Sequence, residues 1–262
     1  MTRGKKGGAA CGDRVVIQMT SPDQGVIDSI VPRQVLLFRS DAFREKLIAA
    51  NVTQIVAVVA AVPSFYEELL SRCLIAAEAA EIKALIVLNK CDMVQESAAT
   101  RTRLELYTSL GYPLLPLAAT QDVAPLRPWL QDETSVLVGQ SGMGKSSIIN
   151  ALLPALLPNV QARTQEISIA LNSGRHTTTH AQLYHLDASS HIIDSPGLQE
   201  FGLHHLSRGD IEHAFVEFRP FLGHCRFNDC KHGVEPGCAL LEAAAQGKIS
   251  ERRLETYRKI LA

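Results

Sequence analysis

The sequence predicts a multidomain α/β protein, with a small β-rich module, a central α/β layer and a helical C-terminal module. Three observations support this prediction. Continuous apolar runs of strand length alternate with helical stretches over residues 55–153, as in a sheet whose strands are buried on both faces. Shorter apolar runs separated by turn residues precede them. Three cysteines and a histidine crowd together at residues 225–238.

The composition is that of a folded protein without strong overall charge. Hydrophobic residues make up 46% of the 262 residues, and the formal net charge is −1, so contact with nucleic acid would need local basic patches. No apolar run approaches the roughly 20 residues that span a bilayer, and the basic N-terminus lacks the apolar segment of a secretory signal. We therefore expect a cytoplasmic protein with no membrane partner, whose six cysteines are not a disulfide framework.

The first module, residues 1–41, carries about three short strands. Its apolar runs lie at residues 15–17, 26–30 and 35–38, with turn residues between them. Three strands rarely close a barrel, so this module is expected to be incomplete.

The central domain, residues 42–205, is predicted from alternating strands and helices. The expected strands are residues 54–62, 84–90, 112–119 and 134–140, and the expected helices are residues 67–81, 101–110 and 145–153. Two further segments, residues 181–186 and 190–194, predict an antiparallel strand pair near the sheet edge. The polar residues 159–179 have no periodicity and predict a loop.

A phosphate-binding loop lies just past the middle of the chain. The stretch GQSGMGKSS satisfies GxxxxGKS between an apolar strand and a helix, which is the context that this motif requires. Backbone N–H groups there can converge on phosphate oxygens, Lys145 can reach the β- and γ-phosphates, and the Ser146 hydroxyl can bind Mg²⁺. The alternative is a glycine-rich turn that binds nothing. The predicted nucleotide contacts are Gly139, Gln140, Ser141, Gly142, Met143, Gly144, Lys145, Ser146 and Ser147.

A guanine-reading element, NKCD, comes earlier in the chain at the end of a buried strand. Asp92 can accept hydrogen bonds from the guanine N1–H and exocyclic amine, a donor pair that adenine lacks, which disfavours an ATPase or kinase. Asn89 can tie this loop to the phosphate-binding loop, and the Lys90 stem can cover the base. A backbone N–H of Ala118 or Ala119 is a candidate for guanine O6. The alternative is a helix-entry turn capped by Asp92. The predicted contacts of the element are Asn89, Lys90, Cys91 and Asp92.

Two further motifs match loops that sense the γ-phosphate. In DSPG, Asp194 can hold Mg²⁺ through a water and the Gly197 N–H can face the γ-phosphate. In GRHTTTH, one of residues 177–179, represented by Thr178, can place its hydroxyl on Mg²⁺. An ordinary turn and an edge strand are the alternatives. Together the four motifs need loops at one edge of one sheet, so their order predicts a circularly permuted P-loop GTPase domain.

The motifs and their order resemble the RsgA (YjeQ) family of circularly permuted, ribosome-dependent GTPases of small-subunit assembly. The resemblance covers nearly the whole chain and is carried by GDRV, IVPRQVLLFRS, NKCD, GQSGMGKSSIIN, GRHTTTH, IIDSPGLQEFGL and the cysteine–histidine cluster. It implies an N-terminal OB-fold, a central GTPase domain and a C-terminal zinc domain at residues 206–262. It also implies binding of the small ribosomal subunit and its rRNA late in maturation, with GTP hydrolysis linked to release.

The first module departs from the family pattern. A five-stranded OB-fold needs more strands than residues 1–41 supply, so we expect a partial OB-like β-barrel, either reduced or continued upstream. Its basic residues Arg3, Lys5 and Lys6 either bind RNA or form a disordered tail. Ala118 stands where the base-contact loop of the family usually has serine, although a backbone contact can survive this change.

The water-orienting glutamine that often follows DxxG is replaced by Leu198, which predicts slow intrinsic turnover. By resemblance, His176 in the switch loop is the candidate catalytic residue, since a neutral imidazole can accept a hydrogen bond from water. A solvated loop histidine is the alternative. Leu198 also keeps open a different class, a GTP-sensing RNA-binding protein that does not hydrolyse GTP.

The cysteine–histidine cluster predicts one structural zinc ion. Cys225, Cys230, His232 and Cys238 supply three thiolates and an imidazole, a soft tetrahedral set that leaves no position open for water. The alternative is unrelated buried cysteines. With Mg²⁺ accompanying GTP, these are the expected cofactors, and we expect a monomer. Basic residues that either contact rRNA phosphate or lie on a solvated amphipathic helix are Arg226, Lys231, Arg252, Arg253, Arg258 and Lys259.

Overall fold

The computed structural model describes residues 8–22, 24–41, 44–153, 181–195 and 202–261. Its centre is a six-stranded sheet formed by β5 (Gln54–Ala60), β6 (Lys83–Asn89), β7 (Leu114–Pro116), β8 (Thr134–Val138), β9 (Gln182–His185) and β10 (His191–Asp194). The strand order is β7-β6-β5-β8-β10-β9, and all neighbours are parallel except β9, which pairs antiparallel with β10. Every residue of β5 is buried, as its continuous apolar run predicts. The predicted antiparallel strand pair is confirmed.

Helices on the sheet follow the predicted alternation. They are α1 (Glu67–Ala79), α2 (Val94–Ser109), the short α3 (Arg127–Leu130) and α4 (Lys145–Leu152). Helix α1 buries Leu70, Leu74 and Ala77, one apolar stripe at helical spacing. Helix α2 begins seven residues before the predicted start at 101. The prediction missed these residues because the first buried positions of the helix are polar and give no apolar signal. None of the helices in the described ranges combines the length and the apolarity needed to cross a membrane.

The N-terminal residues form two antiparallel hairpins. One pairs β1 (Val15–Ser21) with β2 (Gln24–Ile30), and the other pairs β3 (Leu36–Asp41) with β4 (Arg44–Ala50). The three short strands predicted in this region are confirmed as β1, β2 and β3, and β4, which follows position 41, was not predicted. The domain boundary predicted between 41 and 42 falls within the second hairpin. The small sheets agree with a partial β-module.

The C-terminal residues form a helical module on the outer face of α1. Its helices are α5 (Arg208–Ala214), α6 (Ala239–Ala245) and α7 (Glu251–Leu261). Ser207 begins α5 with a reciprocal capping box, in which its hydroxyl accepts from the Asp210 N–H and its own N–H donates to the Asp210 carboxylate.

Arg253 joins this module to α1. Its guanidinium donates to Glu217 Oε1 at 2.5 Å and to Ser71 Oγ at 2.8 Å, and it lies 4.4 Å from the centre of the Phe215 ring. Only 1% of its surface is exposed. The interpretation of Arg253 as an rRNA-contacting or solvated residue was therefore wrong, because its guanidinium is buried and bonded to Glu217 and Ser71 inside the protein.

Candidate nucleotide site and metal centre

The carboxyl ends of three parallel strands bring the predicted motifs to one edge of the sheet. NKCD begins at the last residue of β6, the phosphate-binding loop follows β8, and DSPG begins at the last residue of β10. Strand β5 lies between β6 and β8, and β10 lies beside β8. Ligand crevices of open α/β sheets lie at such carboxyl ends. For these three motifs, the geometry is the one that a permuted order requires.

The phosphate-binding loop depends on close backbone approach. Gly144 immediately precedes α4 with φ of 92°, and a Cβ there would lie 2.2 Å from Asn89 Nδ2. A Cβ on Gly139 would lie 2.3 Å from the Val58 carbonyl oxygen. No residue with a side chain fits either place without a shift. These two glycines therefore set the loop against β5 and β6, with the first turn of α4 directed at the crevice.

Lys145 and Asp194 bring opposite charges to the crevice. The Lys145 ammonium donates to the carbonyls of Gly139 at 2.5 Å and Gln140 at 3.0 Å. Burial lowers the pKa of Lys145, and the nearby Asp194 carboxylate opposes this shift. Burial raises the pKa of Asp194, and Lys145 opposes that shift in turn. A cation and a carboxylate in a partly dehydrated crevice suit a phosphate–Mg²⁺ ligand, whose charges they complement.

Asn89 connects three loops of the crevice. Its side-chain amide donates to the Met143 carbonyl at 2.9 Å, and its side-chain oxygen accepts the Ala119 N–H at 3.0 Å. The residue is 2% exposed. Asn89 thereby ties the guanine-reading element to the phosphate-binding loop, as its position in NKCD suggests, and also to the loop after β7.

The other three residues of NKCD contact neighbouring loops or lie exposed at the crevice. The Lys90 ammonium donates to the Val62 carbonyl at 2.6 Å, so in this structure it is held by the β5–α1 loop. The Cys91 N–H donates to the Leu117 carbonyl at 3.0 Å, which joins the element to the chain after β7. Asp92 is exposed at the crevice end of the loop. A carboxylate in this place is accessible to a base.

Some of the remaining predicted nucleotide contacts lie in the part of the chain that the structure describes, and others lie outside it. Met143 is completely buried and offers only its backbone to the loop, whereas Ser141, Ser146 and Ser147 are exposed. The roles given to His176, Thr178 and Gly197 fall outside the described residues and stay predictions.

The β5–α1 loop contributes contacts that the sequence analysis missed. The Tyr66 N–H donates to Gln140 Oε1 at 2.6 Å, and Pro63 lies where it would touch a Cβ on Gly142. The one available signal was topological, because a loop that follows a buried strand beside the phosphate-binding strand must border the same crevice.

The four predicted metal ligands come together in the C-terminal module. The ligand atoms of Cys225, Cys230, His232 and Cys238 all lie within 4.8 Å of one another. The Cys225 and Cys238 sulfurs are 4.0 Å apart, and His232 Nδ1 lies 3.3 Å from the Cys238 sulfur. Sulfurs at about 2.3 Å from a tetrahedral metal would be separated by about 3.8 Å, so the cluster fits one such ion. The structure therefore supports a metal site.

Comparison with known proteins finds GTPases that match this chain over nearly its whole length. The family model described as RsgA GTPase matches residues 30–204. A small ribosomal subunit biogenesis GTPase RsgA of Nitrosospira multiformis is 57% identical over 260 residues, which cover 99% of this chain and 82% of that protein. A protein of the same name from Nitrosomonas europaea is 52% identical over 264 residues, covering 100% of this chain and 83% of that protein.

Solved structures agree in fold. The crystal structure of YjeQ from Thermotoga maritima has a TM-score of 0.72 at 29% identity and covers 99% of this chain and 87% of that one. YloQ, described as a circularly permuted GTPase, has a TM-score of 0.68 at 28% identity and covers 98% of this chain and 81% of that one. The predicted permuted fold is confirmed. The chain belongs to the RsgA GTPase family.

Proposed function

We propose that the protein is a GTPase that binds the small ribosomal subunit and hydrolyses GTP during late subunit maturation, with hydrolysis coupled to release. The observation that carries this proposal is the position of Asn89, which links a guanine-reading element to a phosphate-binding loop and to the loop after β7. A guanine-reading element held against a phosphate-binding loop suits a guanine nucleotide. The names of the relatives supply the ribosomal part of the proposal.

In this proposal, the nucleotide lies across the carboxyl edge of the sheet. Asp92 accepts from the guanine N1–H and amine, and the backbone of residues 139–147 with Lys145 holds the phosphates. Ser146, Thr178 and, through a water, Asp194 would hold Mg²⁺, and the Gly197 N–H would face the γ-phosphate. Bound Mg²⁺ would neutralise charge that develops on the phosphates.

The catalytic part of the proposal remains with His176, which would orient the attacking water in place of the absent glutamine. Its imidazole must be brought to the γ-phosphate by the switch loop. Contact with the ribosomal subunit would position this loop, which would explain why the subunit and hydrolysis are linked.

The C-terminal module is proposed to hold one structural Zn²⁺ on Cys225, Cys230, His232 and Cys238. All four positions of a tetrahedral ion would be filled, so its chemistry is structural. Arg226, Lys231, Arg252, Arg258 and Lys259 remain proposed rRNA contacts. The module boundaries at 41/42 and 205/206, a monomeric state and a cytoplasmic location are part of the same proposal.

Nucleotide selectivity and subunit binding test this proposal separately. A fluorescent GDP analogue bound to the full chain should be displaced by GTP and GDP but not by ATP at similar concentrations. Sedimentation through sucrose should carry the protein with isolated small subunits when a non-hydrolysable GTP analogue is present, and much less with GDP. Equal displacement by ATP would refute the guanine site. Equal sedimentation in both nucleotides would refute coupling to release.

A further inference from the structure

The His232 ring has two distinct neighbours on its two nitrogens. Its Nδ1 faces the metal ligands, 3.3 Å from the Cys238 sulfur and 3.5 Å from the Cys225 sulfur. Its Nε2 points the other way and lies 3.6 Å from Glu212 Oε1. The imidazole therefore stands between a prospective metal and a carboxylate.

The Glu212 carboxylate is itself fixed in orientation. Arg208 Nε donates to its Oε1 at 2.8 Å, and the Tyr257 hydroxyl donates to the same oxygen at 2.5 Å. Arg208 also donates to the Tyr257 hydroxyl at 2.8 Å. These partners come from α5 and α7, so two helices determine where this oxygen lies. The Glu212 side chain is 15% exposed, which limits screening of its charge by water.

The backbone on both sides of His232 is held by the same two helices. Arg208 on α5 donates to the Lys231 carbonyl, and Arg258 on α7 donates to the Gly233 carbonyl at 2.8 Å. Packing thus sets the position of the histidine as well as that of the carboxylate. Both partners of the His232–Glu212 contact are therefore held in place by other residues. A chance contact between neighbouring side chains would not need this.

We propose that Glu212 is a positioning residue for the metal centre, acting through His232; this rests on the metal site proposed above. A carboxylate at Nε2 favours the tautomer that carries its proton there, which leaves the Nδ1 lone pair directed at the metal. The separation of 3.6 Å is longer than a hydrogen bond, so the contact here is electrostatic. A metal held on Nδ1 would make the Nε2–H a stronger donor towards Glu212.

The competing explanation is that Glu212 serves only as the partner of Arg208 and Tyr257. Under that explanation, removing its charge would lower the stability of the fold without a specific effect on metal affinity. Under our proposal, metal affinity falls because the ligand set loses its oriented and more basic imidazole. Zinc affinity and metal-free stability must therefore be measured on the same variants.

The test uses the full chain, stripped with chelator and titrated with Zn²⁺ in competition with a chromophoric chelator at pH 7. We expect Glu212→Gln to weaken zinc binding by about 10- to 100-fold, the range found for outer-shell partners of metal ligands. Tyr257→Phe removes one group that holds the carboxylate and should weaken binding in the same direction by a smaller factor. Glu242→Gln removes an exposed carboxylate on α6 and is the matched control, with unchanged affinity.

Each outcome decides between named explanations. If the unaltered chain binds no Zn²⁺, the metal site itself is wrong. If it binds Zn²⁺ and both Glu212→Gln and Tyr257→Phe bind as tightly as it does, the role of Glu212 is overturned. A lower urea midpoint of the metal-free variants with unchanged zinc affinity would also overturn it, in favour of a structural ion pair. Should Glu212→Gln fail to fold, Tyr257→Phe alone decides.

Discussion

Replacing Asn89 with alanine should uncouple the loops of the nucleotide site. The side chain makes two hydrogen bonds to backbone groups, one donated to the Met143 carbonyl and one accepted from the Ala119 N–H. Alanine can make neither. Because Asn89 is 2% exposed, water cannot readily replace it, and one carbonyl and one N–H lose their partners.

The size of the effect follows from these two groups. A buried donor or acceptor left without a partner costs about 1–3 kcal/mol, so the two together should lower the free energy of unfolding by about 2–6 kcal/mol. GTP binding requires the guanine-reading element and the phosphate-binding loop to be held in their relative positions. Part of the lost free energy should therefore appear as weaker GTP binding. We expect at least about 1.4 kcal/mol there, which is a tenfold weaker affinity for GTP.

The assay measures urea unfolding through the fluorescence of Trp129, the one tryptophan of the sequence, and nucleotide affinity by competition with a fluorescent GDP analogue. Asn51→Gly is the matched control. The Asn51 side chain also bonds two backbone groups, the Gln34 N–H at 2.9 Å and the Gly12 carbonyl at 3.1 Å, and glycine tolerates its φ of 56°. This control should lose stability but keep the affinity of the unaltered protein for GTP.

The reasoning would be refuted if Asn89→Ala bound GTP as tightly as the unaltered protein. It would also be refuted if both variants lost affinity equally, because the effect would then come from general destabilisation.

Three further predictions concern other parts of the site. Gly144→Ala should reduce GTP affinity at least about tenfold because its Cβ would meet Asn89, whereas Gly111→Ala, with a similar φ of 94° and no atom within 4 Å, should leave affinity unchanged; equal affinities would contradict this. Asp92→Asn should weaken GTP in the competition assay and favour xanthosine triphosphate, whose C2 carries an oxygen in place of the amine; an unchanged preference would remove Asp92 from base reading. Burial raises the pKa of Asp194, so protons should compete with Mg²⁺ above pH 3.8, the ordinary value for this group. The Mg²⁺-dependent part of GTP affinity should therefore fall as pH is lowered towards that value, and the fall should be less steep in Asp194→Asn; a pH profile shared by both proteins would exclude this carboxyl.

The placing of two motifs at one edge of the sheet could be predicted from the sequence. GQSGMGKSS and NKCD each follow a buried apolar strand, so motif and context reinforce each other. The structure brings both to one edge of the sheet. The partners of Asn89 were only half predictable: the link to the phosphate-binding loop follows from the motif, whereas the Ala119 N–H is set by the path of the chain after β7.

Strand β4 and Arg253 show what local sequence cannot supply. The sequence of β4, REKLIAA, is rich in good helix formers, and its strand conformation is set by pairing with β3. Arg253 stands in a charged helix that predicts exposure, yet its partners Glu217 and Ser71 lie 36 and 182 residues away in the chain. In both cases contacts that are distant in sequence override the local preference.

The central claim, a GTPase that works on the small ribosomal subunit, is tested most directly by GTP turnover of the full chain with and without isolated small subunits. We expect slow release of phosphate by the protein alone and clear stimulation when subunits are added. Turnover that is the same with and without subunits would contradict it.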